Sequence, residues 1–264
     1  MGFSTIKPPR EIVHIFLKHV NLTRGDLCNY FYFPSLVMLN DPDPAKLIWS
    51  DKFDIPGSPD PTKWTYDFGD GCDIGLCNWG NSEQAYYTND LSNVEISNGI
   101  LQIKAKRESG YNLPYTSTIM VTHGIAAFKY GRIQFRANIS WCTATGTWPA
   151  LSMLPKSMVY GRWPYSGEID VVEFVGYGTG QFHGTVHTGA YNHKIGTQKT
   201  GSIYDNESDW HIFEINWEQD LIKFATNGKI YYEFTRGVGS DQWPYDQDFH
   251  IIMNVAVGGF WGGA

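Results

Sequence analysis

The chain has 264 residues, 42% of them hydrophobic, which is enough for one large core at a length that all-β domains commonly reach undivided. Its net charge of -7 argues against nucleic acid or an anionic membrane as partner, since either calls for a basic patch to meet phosphate. The 16% aromatic content, with 10 Trp and 16 Tyr, suits an uncharged ligand with apolar faces, such as a sugar ring.

Residues 1–45 differ in kind from the rest. Met1 to Pro9 has neither a basic n-region nor an apolar h-region, so it does not read as a signal peptide, and no stretch of the chain is long enough to span a membrane. Glu11 to Val20 has the pattern of one short amphipathic helix. Tyr30 to Leu39 is an apolar run broken by Pro34, and Asp41-Pro42-Asp43-Pro44 reads as a linker. From there on, short strands alternate with Gly, Pro, Asn and Asp turns. Leu101 to Lys106, Arg132 to Ile139 and Phe213 to Trp217 alternate apolar with polar residues, the mark of sheets with one buried face. Leu221 to Thr226 and Lys229 to Phe234 flank Asn227-Gly228, a type I′ hairpin signal. No stretch of ten or more residues in this region has helical periodicity. The expectation is an all-β sandwich of two antiparallel sheets, with the catalytic domain over residues 46–264. Four cysteines, Cys28, Cys72, Cys77 and Cys142, lack metal-ligand spacing. Cys72 and Cys77 are close enough to bridge in a turn, with free thiols as the alternative. Glycosylation tripeptides at Asn21, Asn138 and Asn206 point towards an extracellular protein.

The chemistry concentrates in Ser166-Gly167-Glu168-Ile169-Asp170-Val171-Val172-Glu173, where three carboxylates sit among β-formers. Alternation puts Glu168 and Asp170 on one strand face and Glu173 on the other, unless Val171-Val172 forms a β-bulge that returns Glu173 to its partners. Three acids on one face repel one another and raise at least one pKa, as a general acid beside a carboxylate nucleophile requires near neutral pH. His183-Gly184-Thr185-Val186-His187 places both histidines on one strand face. A zinc site from His183, His187 and His193 lacks cysteine or carboxylate ligands at regular spacing.

The Glu168 to Glu173 run resembles the bulged active strand of glycoside hydrolase family 16, in particular its laminarinase-like β-1,3-glucanases. Six further blocks resemble that family in its order: Leu47 to Asp54, Trp79 to Thr88, Tyr130-Gly131-Arg132, Gly146-Thr147-Trp148-Pro149-Ala150, His183 to His187, and Asn254 to Gly259. The resemblance implies a β-jelly roll with a concave cleft and a retaining endo-hydrolase of laminarin-like or mixed-linkage glucan. It makes Glu168 the nucleophile, Glu173 the acid/base, Asp170 the carboxylate between them, and His187 a neighbour of the acid/base. It also implies Trp148, Trp163 and Trp261 as sugar platforms and Asn81, Glu83 and Arg136 as polar contacts to sugar hydroxyls. A non-catalytic β-glucan-binding module on this fold loses the carboxylates that are present here, and a transglycosylase of the same superfamily is a third reading. No cofactor is required for catalysis. Members of the family often hold a structural Ca²⁺, but Lys52 stands where the usual residue is Glu and argues against it. The family's final strand has no counterpart after Ala264, so Tyr30 to Leu39 is expected along the sandwich edge in its place.

Overall fold

The computed structural model describes residues 12–15, 47–139 and 142–263. Among these, two sheets face one another across the core. A seven-stranded sheet runs in the order Lys199–Tyr204, Gln181–His187, Glu168–Glu173, Thr147–Pro155, Phe249–Val257, Ile119–Val121, Thr65–Asp67, with every neighbouring pair antiparallel. Opposite lies a six-stranded sheet in the order Lys229–Thr235, Leu221–Thr226, His211–Trp217, Gly131–Ala137, Ile12–Ile15, Leu47–Asp51. The alternation seen in the sequence decides what faces inward. Ile133, Phe135, Phe213, Ile215 and Trp217 of the second sheet meet Leu151, Met153, Ile169, Phe182 and Val255 of the first, all at most 1% exposed. Asn227 and Gly228 both take positive φ, 51° and 78°, the type I′ geometry expected of this turn.

Two expectations change. Residues Ile12–Ile15 are extended rather than helical, and they pair in parallel with both Gly131–Ala137 and Leu47–Asp51. The six-stranded sheet is therefore mixed. Parallel neighbours require a long crossover, and the residues between Ile15 and Leu47 are ample for one. Ile12–Ile15 thus lie inside the six-stranded sheet, between two neighbours. The Tyr30 to Leu39 run lies outside the described residues. Cys72 and Cys77 are bridged, and no described cysteine is free.

The two sheets pack tightly at Gly184. A Cβ there would stand 2.5 Å from the Tyr231 hydroxyl and 2.6 Å from the Phe224 ring, so only glycine lets the strand that carries His183 and His187 lie this close to its partner sheet. Gly184→Ala is expected to lower stability by about 1–3 kcal/mol. Urea unfolding followed by tryptophan fluorescence checks this, and an unchanged midpoint would show that the sheets have slack at that point.

Candidate active site

The bulge forms where Val171-Val172 suggested it. Towards Thr147–Pro155, Ser152 pairs with Asp170 and Leu151 with Val172, leaving Val171 without a partner. On the other side Asp170 pairs with Thr185 and Glu173 with His183. One extra residue returns Glu173 to the face of Glu168 and Asp170, while Ile169, Val171 and Val172 stay in the core.

Each carboxylate is held by a different donor. Trp163 Nε1 donates to Glu168 Oε2 at 2.6 Å, Trp148 Nε1 to Glu173 Oε1 at 3.1 Å, and Ser152 Oγ to Asp170 Oδ1 at 2.7 Å. Thr185 also hydrogen-bonds Glu173, and its hydroxyl lies 3.0 Å from that of Thr200. Beneath the strand, the buried Tyr245 hydroxyl is 3.1 Å from the backbone carbonyl of Glu168 and 3.0 Å from that of His187. It therefore ties together the ends of the two strands that carry these residues.

The electrostatics follow from burial. Asp170 and Glu173 are 3% and 7% exposed, and removing them from water penalises their charged forms. Burial lifts Glu168 to about 7, with the Trp163 donor opposing. Burial and then the charge of Glu168 lift Glu173 to about 8, against the donors Trp148 and Thr185. Asp170, between two acids, is raised well above the carboxylate range by burial and by the charges of Glu168 and Glu173. Its Oδ2 has no hydrogen-bond partner and lies 3.4 Å from His187 Nε2. Burial, with the neighbouring His193, pushes His187 down to about 3, so its imidazole is neutral at pH 7.

The structure redistributes several residues expected at the site. His187 is paired opposite Glu168 and beside Asp170, whereas His183 is the residue opposite Glu173. Antiparallel register sets the later histidine against the earlier acid, so His187 neighbours Glu168 rather than Glu173. Arg136 is not brought to the cleft. Ile133, Phe135 and Ala137 of its strand point into the core, which turns Arg136 to the outer face of the opposite sheet, 4.8 Å over the Trp210 ring. Glu83 is buried at the Gly258 turn, its two oxygens accepting from Asn81 Nδ2 and the Tyr87 hydroxyl, so it braces this wall. Asn81 also accepts from the Phe260 amide, and its carbonyl lies against Gly259, which in turn abuts Trp148.

The tryptophans bracket the acids. Trp261, on the single turn Gly259–Gly262, meets Trp148 edge-on with centroids 5.6 Å apart and His183 at 5.1 Å. At the other end Trp163 lies 5.0 Å from His193, 5.9 Å from His187 and 4.8 Å from Lys194 Nζ. Ser152, Thr185 and Tyr245 were not singled out as site residues in the sequence. Ser152 and Thr185 could have been found by strand alternation once the bulge was placed. Tyr245 comes from a distant loop and has no such signal. His183, His187 and His193 do not gather as a metal set among the described residues. The group whose ligand atoms lie within 4.8 Å of one another is Glu168, Asp170 and His187.

Residues 81–264 match the family model for glycosyl hydrolases family 16. The chain is 44% identical to a β-glucanase of Rhodothermus marinus over 229 residues, covering 83% of this chain and 77% of that protein. It is 37% identical over 246 residues to glucan endo-1,3-beta-glucosidase A1 of Niallia circulans, covering 82% of this chain but 35% of that longer protein. The fold superposes on a laminarinase structure from Rhodothermus marinus with a TM-score of 0.77 at 44% identity, over 82% of this chain and 87% of that one. The bulged strand with its three acids, the jelly-roll sandwich around it and these matches together place the chain in glycoside hydrolase family 16.

Proposed function

We propose that the protein is a retaining endo-β-1,3-glucanase of laminarin-like glucans. The observation that carries this is the bulge that sets Glu168 and Glu173 on one cleft face, each held by a tryptophan N–H and both shifted towards neutral pH by burial. The names of the Rhodothermus and Niallia relatives and of the Rhodothermus laminarinase supply the substrate class. In the first step Glu173 gives its proton to the glycosidic oxygen as that bond breaks, while ionised Glu168 attacks the anomeric carbon to form a glycosyl ester. Esterification removes the charge of Glu168, so Glu173 becomes a stronger acid and, once ionised, takes a proton from the water that cleaves the ester. Asp170, pinned by Ser152, stands between the two glutamates, and their charges add to burial in raising its own pKa. The Cys72–Cys77 bridge supports an extracellular setting for this polysaccharide chemistry.

Because the two glutamates act at different steps, their removal should separate them. Glu168→Ala is expected to lose hydrolysis by on the order of 10⁴-fold or more yet still couple an α-glycosyl fluoride donor to an acceptor. Glu173→Ala should keep turnover on substrates with good leaving groups and be rescued by azide. Identical behaviour of the two variants would overturn the roles. Proton NMR of the earliest reducing ends from laminarin should show the β anomer, and an α anomer appearing first would rule out double displacement at this site.

The pH profile of kcat/KM should be a bell. Activity rises as Glu168 loses its proton near 7 and falls as Glu173 loses its own near 8, the acids titrating as a coupled set. The Trp148 N–H stabilises the ionised form of Glu173, so Trp148→Phe should raise that pKa and move the alkaline limb to higher pH. Trp163→Phe should move the acid limb to higher pH by the same reasoning at Glu168. A limb that stays put in either variant would show that the hydrogen bond does not set it.

A further inference from the structure

The cluster of Glu168, Asp170 and His187 has a capacity that glycoside hydrolysis does not use. Asp170 is 3% exposed, yet its Oδ2 has no hydrogen-bond partner. It is aimed at Nε2 of His187, itself 7% exposed, across 3.4 Å. Two ligands each about 2.0–2.1 Å from a tetrahedral Zn²⁺ stand about 3.4 Å apart, so Asp170 Oδ2 and His187 Nε2 already form one edge of such a site. Glu168 joins them: one ligand atom from each of Glu168, Asp170 and His187 lies within 4.8 Å of the other two.

We propose that Glu168, Asp170 and His187 bind one borderline divalent ion of the Zn²⁺ type, which sequesters the nucleophile and holds the enzyme in a reversible inhibited state. The ligand set selects the ion. One imidazole and two carboxylates, with a water in the fourth position, match Zn²⁺, whereas Ca²⁺ seeks six to eight oxygens and Mg²⁺ an octahedral shell, neither of which this buried wall offers. Sugar and ion compete for the same place, because the carboxylate that attacks the anomeric carbon is also a ligand. The inhibitory consequence rests on the proposed catalytic role of Glu168, but the binding itself does not.

The test is calorimetry with ZnCl₂ on the full chain at pH 7 in a non-chelating buffer, in the absence of substrate. One Zn²⁺ per chain is expected, with affinity at least 10-fold weaker in Asp170→Asn and in His187→Ala and unchanged in His123→Gln. His123→Gln guards against the other close histidine pair, His123 and His250, whose rings lie 4.7 Å apart. Ca²⁺ at equal concentration should not displace Zn²⁺, and laminaripentaose should weaken its binding to the unmodified chain. This last measurement stands even where a variant fails to fold. No stoichiometric uptake, uptake lost in His123→Gln, or uptake indifferent both to laminaripentaose and to the Asp170 and His187 substitutions would overturn the proposal. A chain that binds Zn²⁺ at these residues but cleaves no β-1,3-glucan would sink the substrate assignment and leave the ion site standing.

Discussion

Three carboxylates withdrawn from water on one sheet face are the constraint around which the rest of the cleft is arranged. Burial alone costs each anion several kcal/mol unless donors replace its water, and the structure supplies side-chain donors to each: Trp163 to Glu168, Ser152 to Asp170, and Trp148 with Thr185 to Glu173. The donors are unequal to the task. All three acids remain raised, and at Asp170 burial is joined by the repulsion of both neighbours, while one of its oxygens stays unpaired. Those same raised values allow a general acid to keep its proton at the pH where its neighbour must have lost one.

The arrangement works against stability. A carboxyl whose folded pKa lies above its unfolded value contributes stability below the unfolded value and loses it as pH rises through the folded one. For Glu168, raised from 4.5 to about 7, the difference corresponds to about 3 kcal/mol, a large share of the 5–15 kcal/mol typical of a whole domain. The fold is therefore most stressed on the alkaline side of neutrality. The deep core on the other face of the strand, with Ile169, Val171 and Val172 at most 2% exposed, is what opposes that stress.

Local rules were legible where a residue type has few alternatives. Asn227-Gly228 fixed its own turn, and two adjacent valines between acids left a bulge as the way to keep all three acids on one face. Cross-strand neighbours were less legible because register depends on strands that are far apart in sequence. His183 and His187 share a face in any register, but only the pairing of Glu168 with His187 says which histidine meets which acid. Arg136 was misplaced for a different reason: its sequence block matched, but the alternation of Ile133, Phe135 and Ala137 already turned it away from the cleft. Tyr245 reaches the backbone of the catalytic strand from 77 residues away, and nothing near it in sequence marks that contact.

The parallel strand Ile12–Ile15 has a consequence for how the molecule is made. It lies between Leu47–Asp51 and Gly131–Ala137, so one of its two ladders joins residues more than a hundred positions apart. During synthesis that segment leaves the ribosome long before the strand it pairs with, and must wait, unpaired on one side at least, while the intervening half of the chain emerges. Contacts of such separation slow folding and prolong exposure of strand edges. The six-stranded sheet can therefore close only late in folding, and its assembly is the step at which a chaperone or a competing strand has the longest access.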